Sequence, residues 1–396
     1  MFNKKTVEDI DVKDKKVLVR VDYNVPLNLS GNVTDNTRII LSLPTINYLL
    51  SKNSRIILIS HLGRPKDKVD EKYRLNPAAA ELEKLIGKPV KKFNEIYSPQ
   101  IKDYIDNEMK PGDIVMLENL RFDPGEKKND TEFAKNLSTL ADIYVNDAFG
   151  AAHRAHASIS GIAGFIPAVA GYLMKKEVEV LETLLENPAR PFIAVLGGSK
   201  VSDKISVIKN LIGKVNALIL GGGMTYTFLK AEGHSVGKSI CEDDQIRYAK
   251  DMLELAMKNN VKLMLPVDVI IAPEYAENAE SRNVKISDIP SQWEGMGIGE
   301  KTAEIYKKEI LKARTVFWNG PMGVFEFDKF GRATKEVAEA IANSGAVTVV
   351  GGGDTIAAIK KYGLSDKFTH VSSGGGASME FLEGKVLPGV DALLDK

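Results

Sequence analysis

Nine short β-branched or apolar runs recur along this chain, separated by longer segments with helical character. The early runs are KVLVRV (16–21), RIILIS (55–60), DIVMLENL (113–120) and DIYVNDAF (142–149). The later ones are FIAVLGG (192–198), ALILGGG (217–223), KLMLPVDVII (262–271), TVFWNG (315–320) and VTVVGGG (347–353). Between them lie amphipathic stretches such as NPAAAELEKLIGK (76–88) and GRATKEVAEAIANSG (331–345). Alternating strands and helices with nearly all-apolar strands predict α/β architecture, with parallel sheets covered on both faces. Right-handed crossovers put every strand's carboxyl end at one edge, where open α/β sheets bind ligands. The 396 residues exceed what one core serves, so two doubly wound, Rossmann-like lobes are expected, with a cleft between them. The segment 171–191 has Leu173, Val178, Leu181 and Leu185 at helical spacing and closes on Pro188 and Pro191. It reads as a joining helix over 173–187, between lobes 1–172 and 188–386.

The two halves differ at their strand ends. In the first half the runs lead into Arg20, Asp22 and Asn24, then His61 and Arg64, then Asn119 and Arg121, then His153, Arg154 and His156. Guanidinium groups gathered at one sheet edge suit a small, highly anionic ligand, since their forks match phosphate and carboxylate. In the second half the runs end in glycine, at 197–198, 221–223 and 351–353, and a further triplet stands at 374–376. Such ends let backbone approach a phosphate-bearing ligand and leave N–H groups free to bind it. The stretch FIAVLGGSKVSDKI (192–205) adds Lys200 and Lys204, either phosphate ligands or two solvated lysines on a surface helix. It lacks the G-x-x-x-x-G-K-[ST] pattern of a P-loop.

Composition removes several function classes. Lys+Arg and Asp+Glu balance at 53 each, so no overall positive field recruits nucleic acid or a membrane. One cysteine, Cys241, excludes an internal disulfide framework and cysteine zinc sites. The N-terminal residues carry no apolar signal core, and a cytoplasmic address is expected. The dinucleotide fingerprint G-x-G-x-x-G follows none of the strand-like runs, which argues against a dehydrogenase. A non-catalytic anion-binding protein would not need the second, glycine-rich site. His153 and His156 have metal-like spacing but no third ligand, and beside Arg154 they read as anion contacts.

Three motifs keep two readings each. Asp354, in GGGDT (351–355), suits a helix N-cap or a Mg²⁺ ligand beside nucleotide phosphates. WNGPMGVFEF (318–327) offers an apolar wall and Glu326 for an adenosine, or simply a tight turn and core. SSGGGASMEFL (372–382) opens a helix whose N–H groups can meet a phosphoryl group.

The chain resembles the phosphoglycerate kinase family from end to end. The resemblance is carried by RVDYNVP (20–26), TRI (37–39), SHLGRP (60–65), ENLRFDPGE (118–126), NDAFGAAHRAHAS (146–158), GGSKVSDKI (197–205), LGGGMTYTFLKA (220–231), VFWNGPMGVFE (316–326), GGGDT and SSGGGAS (372–378). It implies Mg²⁺-dependent phosphoryl transfer between 1,3-bisphosphoglycerate and ADP, giving 3-phosphoglycerate and ATP, in a monomer. Asp22, Asn24, Arg38, His61, Arg64, Arg121 and Arg154 would hold the phosphoglycerate, with Arg20, Tyr23, Leu62, Gly63 and His153 in the same patch. Gly198, Gly222, Gly223, Gly295, Pro321, Val324 and Glu326 would surround adenosine. Asn319, Lys204 and Gly352, Gly353, Asp354 and Thr355 would serve the phosphates, with Asp354 as metal ligand. Arg38, Lys200, Lys204, Gly375 and Gly376 would stabilise the moving group, the two lysines as an i, i+4 pair at a helix start. The final residues 387–396 would return to the first lobe. One departure is GIGEKT (297–302), where the family commonly reads D-I-G-P-K-T, so Gly297 and Glu300 replace an acid and a proline.

That chemistry needs no general base, because the attacking carboxylate or ADP phosphate is already an anion. Positioning and charge neutralisation remain, together with exclusion of water by lobe closure about 171–191 and 372–386.

Overall fold

The computed structural model describes residues 2–396. The chain folds into two compact units, one ending at Glu179 but including Val386–Lys396, the other spanning Val180–Lys385. The division falls inside a helix, Tyr172–Glu186.

The first unit is built on six parallel strands: β1 (Lys16–Arg20), β2 (Arg55–Ile59), β3 (Val90–Lys92), β4 (Ile114–Met116), β5 (Ile143–Asn146) and β6 (Ala168–Ala170). Their order is β3-β4-β2-β1-β5-β6. Val17, Val19, Ile56, Leu58 and Val145 pack on one face with Ile39, Ile46 and Leu49 of helix Thr37–Ser51. Leu18, Ile57, Val115 and Tyr144 are equally buried on the other face. Both faces are covered, which is why these strands read as continuous apolar runs. β3 and β6 have three residues each and lie in none of the apolar runs, unlike the equally short β4, which sits inside the run 113–120. The chain ends meet here: Lys5 N–H donates to Leu394 O at 2.7 Å, and Gly389 N–H to Ala152 O at 2.8 Å.

The second unit contains β7 (Phe192–Leu196), β8 (Ala217–Leu220), β9 (Lys262–Met264), β10 (Asp268–Ala272), β11 (Arg282–Lys285), β12 (Glu294–Ile298), β13 (Thr315–Asn319), β14 (Val347–Gly351) and β15 (His370–Val371). Six of them form a parallel sheet in the order β15-β14-β13-β7-β8-β9. Connections leave β7 and β13 in opposite directions, so a crevice opens at their carboxyl ends. Gly197 and Gly320 cross there so closely that a Cβ on either would overlap the other strand's turn.

The purely parallel expectation fails for residues 268–298. β11, β10 and β12 make a separate antiparallel sheet, with an irregularity between Ile270 and Ile271. KLMLPVDVII is therefore two strands rather than one. Pro266 lies between them, with no N–H to continue the ladder.

Candidate functional site

In the first unit the carboxyl edge of the sheet carries the cations. β1 delivers Arg20 and Asp22, β2 delivers His61 and Arg64, and the turn Leu120–Phe122 after β4 delivers Arg121. Arg38 stands in the first turn of helix Thr37–Ser51 and pairs with Asp22, Nη1 to Oδ2, at 2.8 Å. The loop after β2 is fixed at one peptide. Gly63 N–H donates to Asn24 Oδ1 at 2.8 Å, and Gly63 O accepts from Arg121 Nη1 at 2.6 Å. Gly63 has φ +62°, and a Cβ there would strike the Tyr73 ring. No other residue fits.

The guanidiniums crowd one another. Burial, then the neighbouring charges of Arg154 and Arg20, push Arg121 down to about 10. Burial chiefly lowers Arg154 as well, with Arg20, Arg64 and Arg38 adding repulsion that Asp22 opposes. A cluster in which like charges compete for the same space is complementary to a multiply charged anion. Arg64 is exposed and makes no ion pair among the described residues, whereas Arg154 Nε donates to His153 Nε2 at 3.2 Å.

Two expected contacts do not present side chains here. Tyr23 is fully buried in the hydrophobic core with its hydroxyl 2.7 Å from Ser42 Oγ, and Leu62 lies in the same core. Alternation along an extended segment explains this: Asp22 and Asn24 face one way and Tyr23 the other. Backbone is all that Tyr23 and Leu62 can offer a ligand.

In the second unit two adjoining cavities open at the β7/β13 crevice. The first, of about 340 Å³, is lined by Gly222, Gly223, Gly295, Pro321, Val324 and Glu326. The second, of about 310 Å³, is lined by Lys200, Lys204, Asn319, Gly352, Gly353, Thr355, Gly375 and Gly376. Gly198, Ser199 and Asp354 line both. Helices Gly353–Lys361 and Gly376–Leu382 begin in the second cavity, so unpaired first-turn N–H groups border it. Lys204 Nζ donates to Asn319 Oδ1, and Asn319 Nδ2 is buried without a hydrogen-bond partner. Burial pushes Lys204 down to about 8, against the pull of Asp203 and Asp354.

Two readings change. Lys200 and Lys204 do not form a helical pair, because the helix starts only at Ile205 and Lys204 is its capping residue. The glycines at 197–198 carry the chain into a turn first, closed by Lys204 N–H on Val201 O at 2.8 Å. Asp354 is not the N-cap either. Gly352 occupies that position, and Asp354 stands in the first turn with no hydrogen bond or ion pair among the described residues. Thr355 is wholly buried and its Oγ1 accepts from Gly320 N–H at 2.6 Å, so it braces the crevice.

The first cavity also holds Ile240, Tyr275, Glu294 and Met296. Sequence reasoning named Gly295 here and missed Ile240 and Tyr275, which stand on loops, and Glu294, which opens β12, a strand the sequence pattern did not reveal. At Gly297, where the family commonly carries an acid, two backbones come close. Gly297 bridges to Gly323, and a Cβ on Gly297 would come within 3.1 Å of Gly323 Cα. Glu300 opens helix Glu300–Ile310 and pairs with Arg332 at 3.0 Å.

Residues 7–385 match the family model described as phosphoglycerate kinase. The chain belongs to the phosphoglycerate kinase family. A curated relative, the phosphoglycerate kinase of Pelotomaculum thermopropionicum, is 55% identical over 393 residues, covering 99% of this chain and 100% of the relative. The solved phosphoglycerate kinase of Coxiella burnetii is 42% identical with a TM-score of 0.89, and that of Pyrococcus horikoshii is 34% identical with a TM-score of 0.84. Each comparison covers 98% of both chains. Phosphoglycerate kinases are glycolytic phosphotransferases that move a phosphoryl group reversibly between 1,3-bisphosphoglycerate and ADP, with Mg²⁺ as cofactor.

Proposed function

We propose that the basic site of the first unit binds the phosphoglycerate and the paired cavities of the second bind ADP or ATP. The observation that carries this reading is the contrast between the two strand-end chemistries. One sheet edge gathers Arg20, Arg38, Arg64, Arg121 and Arg154, while the other gathers glycine turns and helix starts. The first cavity, walled on one side by Ile240, Met296, Pro321 and Val324, suits the base and ribose, with Glu326 placed to accept from ribose hydroxyls. The second cavity suits the phosphates.

Asp354 fits a Mg²⁺ role, because a single unpaired carboxylate beside substrate phosphates is how that ion is usually held. Bound there, Mg²⁺ would draw negative charge off the phosphate oxygens. The protein's own part is positioning. Lys200, Lys204, Arg38 and the N–H groups of Gly375 and Gly376 neutralise the transferring group, and Asn319 Nδ2 supplies one more donor. Transfer requires the units to bring donor and acceptor together during turnover, which also excludes water from an acyl phosphate. The enzyme is assigned to the cytoplasm, where its pathway runs, as a single-chain catalyst.

Arg64→Ala tests the division of labour in a coupled assay of ATP-dependent 3-phosphoglycerate phosphorylation. Loss of one charge-assisted contact raises KM for 3-phosphoglycerate roughly 10-fold or more and leaves KM for ATP nearly unchanged. Equal damage to both constants would refute the assignment.

A further inference from the structure

We propose that His61 meets the three-carbon acid as a neutral imidazole with its proton on Nε2, held in that state by a buried chain of Glu126, Ser158 and Arg20. The identity of the acid rests on the assignment above. The protonation state does not.

The geometry starts from a donor that cannot accept. Arg20 Nη2 lies 3.0 Å from His61 Nδ1, and a guanidinium has only N–H donors. Nδ1 must therefore accept, and a neutral ring that accepts at Nδ1 carries its hydrogen at Nε2. An imidazolium would set N–H against N–H across the same distance. Nε2 has no partner among the described residues, so the donor end is the free one.

The surroundings favour the same state. His61 is 4% exposed, and it faces the charges of Arg20, Arg121, Arg154 and Arg38. Burial first, and those four cations next, hold it well below the usual imidazole range. The opposing group is Asp22, whose Oδ1 is 3.9 Å from Nδ1, beyond hydrogen-bond reach, while its Oδ2 pairs with Arg38.

Arg20 is itself immobilised. Its Nη1 donates to Val21 O and its Nε donates to Ser158 Oγ at 3.0 Å. Ser158 Oγ accepts that bond and passes its own hydrogen to Glu126 Oε1 at 2.7 Å. Glu126 is wholly buried, also accepts Ser158 N–H at 2.9 Å, and lies 3.7 Å from His156 Nδ1. Burial pushes its carboxyl up, but His156, Arg20 and Ser158 together outweigh that and keep it below the ordinary value. One buried negative charge thus balances Arg20, and every hydrogen in the chain has one direction. Glu126 and Ser158 are positioning residues; neither needs to touch substrate.

Nitrogen-15 correlation spectra of the histidine rings test this directly. The chain has five histidines, and His61→Gln identifies the His61 signals by their loss. The expected pattern is a pyridine-like Nδ1 and a pyrrole-like Nε2, unchanged between about pH 5.5 and 8 in the ligand-free enzyme. A protonated ring, or the hydrogen on Nδ1, overturns the proposal. Glutamine keeps a neutral donor, so His61→Gln retains 3-phosphoglycerate KM within about tenfold, while His61→Leu loses a further tenfold or so. Ser158→Ala leaves Arg20 Nε–H without its acceptor, mixes the two tautomers, and raises KM for 3-phosphoglycerate about fivefold without changing KM for ATP. Unaltered tautomer and KM in that variant would remove Ser158 and Glu126 from the role. A His61 spectrum indifferent to added 3-phosphoglycerate overturns the contact with the acid, whatever the tautomer proves to be.

Discussion

Arg38 Nη1 lies 2.8 Å from Asp22 Oδ2, which ties the first turn of a helix to the segment leaving the central strand β1. The pair is partly open on the arginine side, where 36% of the side chain is exposed. Asp22 therefore aims a guanidinium that still has donors free for a second anion.

If those donors serve the moving phosphoryl group, Arg38→Ala lowers kcat by roughly 10²-fold or more. The melting temperature should fall modestly, because Asp22, only 9% exposed, loses its ion-pair partner. Steady-state kinetics alongside thermal denaturation checks both; a wild-type kcat would remove Arg38 from the transfer step.

Lys204 gives a pH dependence with a definite sign. Its free-enzyme value is pushed down to about 8, so the ammonium is charged below that pH and is lost as pH rises through it. kcat/KM for ATP should accordingly fall above about pH 8. Lys204→Arg should abolish that limb while keeping part of the activity, and Lys204→Ala should cost roughly 10²-fold in kcat below about pH 8, where wild type carries the ammonium.

Asp147 links pH to stability rather than to chemistry. Its Oδ1 accepts the N–H groups of Leu173 and Met174 at 2.9 and 3.2 Å, capping helix Tyr172–Glu186, and burial pushes its carboxyl up to about 6. A raised folded value means the stabilising contribution is complete below the unfolded value near 4 and disappears as pH climbs through about 6. Asp147→Asn removes that loss. Relative to wild type, the variant should gain on the order of 2–3 kcal/mol between pH 4 and 7.5. Urea denaturation at the two pH values measures it; a pH-independent difference would contradict the raised value.

Gly320→Ala probes the crevice of the second unit. Its φ is +99°, and a Cβ would overlap the carbonyl of Gly197. The combined strain and clash should destabilise this unit by about 2 kcal/mol or more and weaken ADP binding, read by calorimetry. Unchanged ADP affinity in a folded variant would separate this turn from the nucleotide.

Much of the site was legible because strand ends are chemically explicit. Arg20, His61 and Arg121 follow apolar runs directly, and so do the glycines at 197–198 and 351–353. Side-chain direction was harder. Tyr23 sits between two polar residues of a matching motif, yet extended backbone turns it into the core. The lysine pair was misread because glycine flexibility delayed the helix by a full turn. Glu126 closes the matching motif ENLRFDPGE, but nothing in its sequence neighbourhood shows that it is buried; that follows only from its bonds to the distant Ser158.

The pairing of Lys5 with Leu394 has a consequence for biosynthesis. A ribosome adds residues in order, so the span Val180–Lys385 is available before Val386–Lys396, which complete the first unit's seam, emerge. The half begun earliest is the half completed last, and its closing seam is made only after the whole second unit has been synthesised.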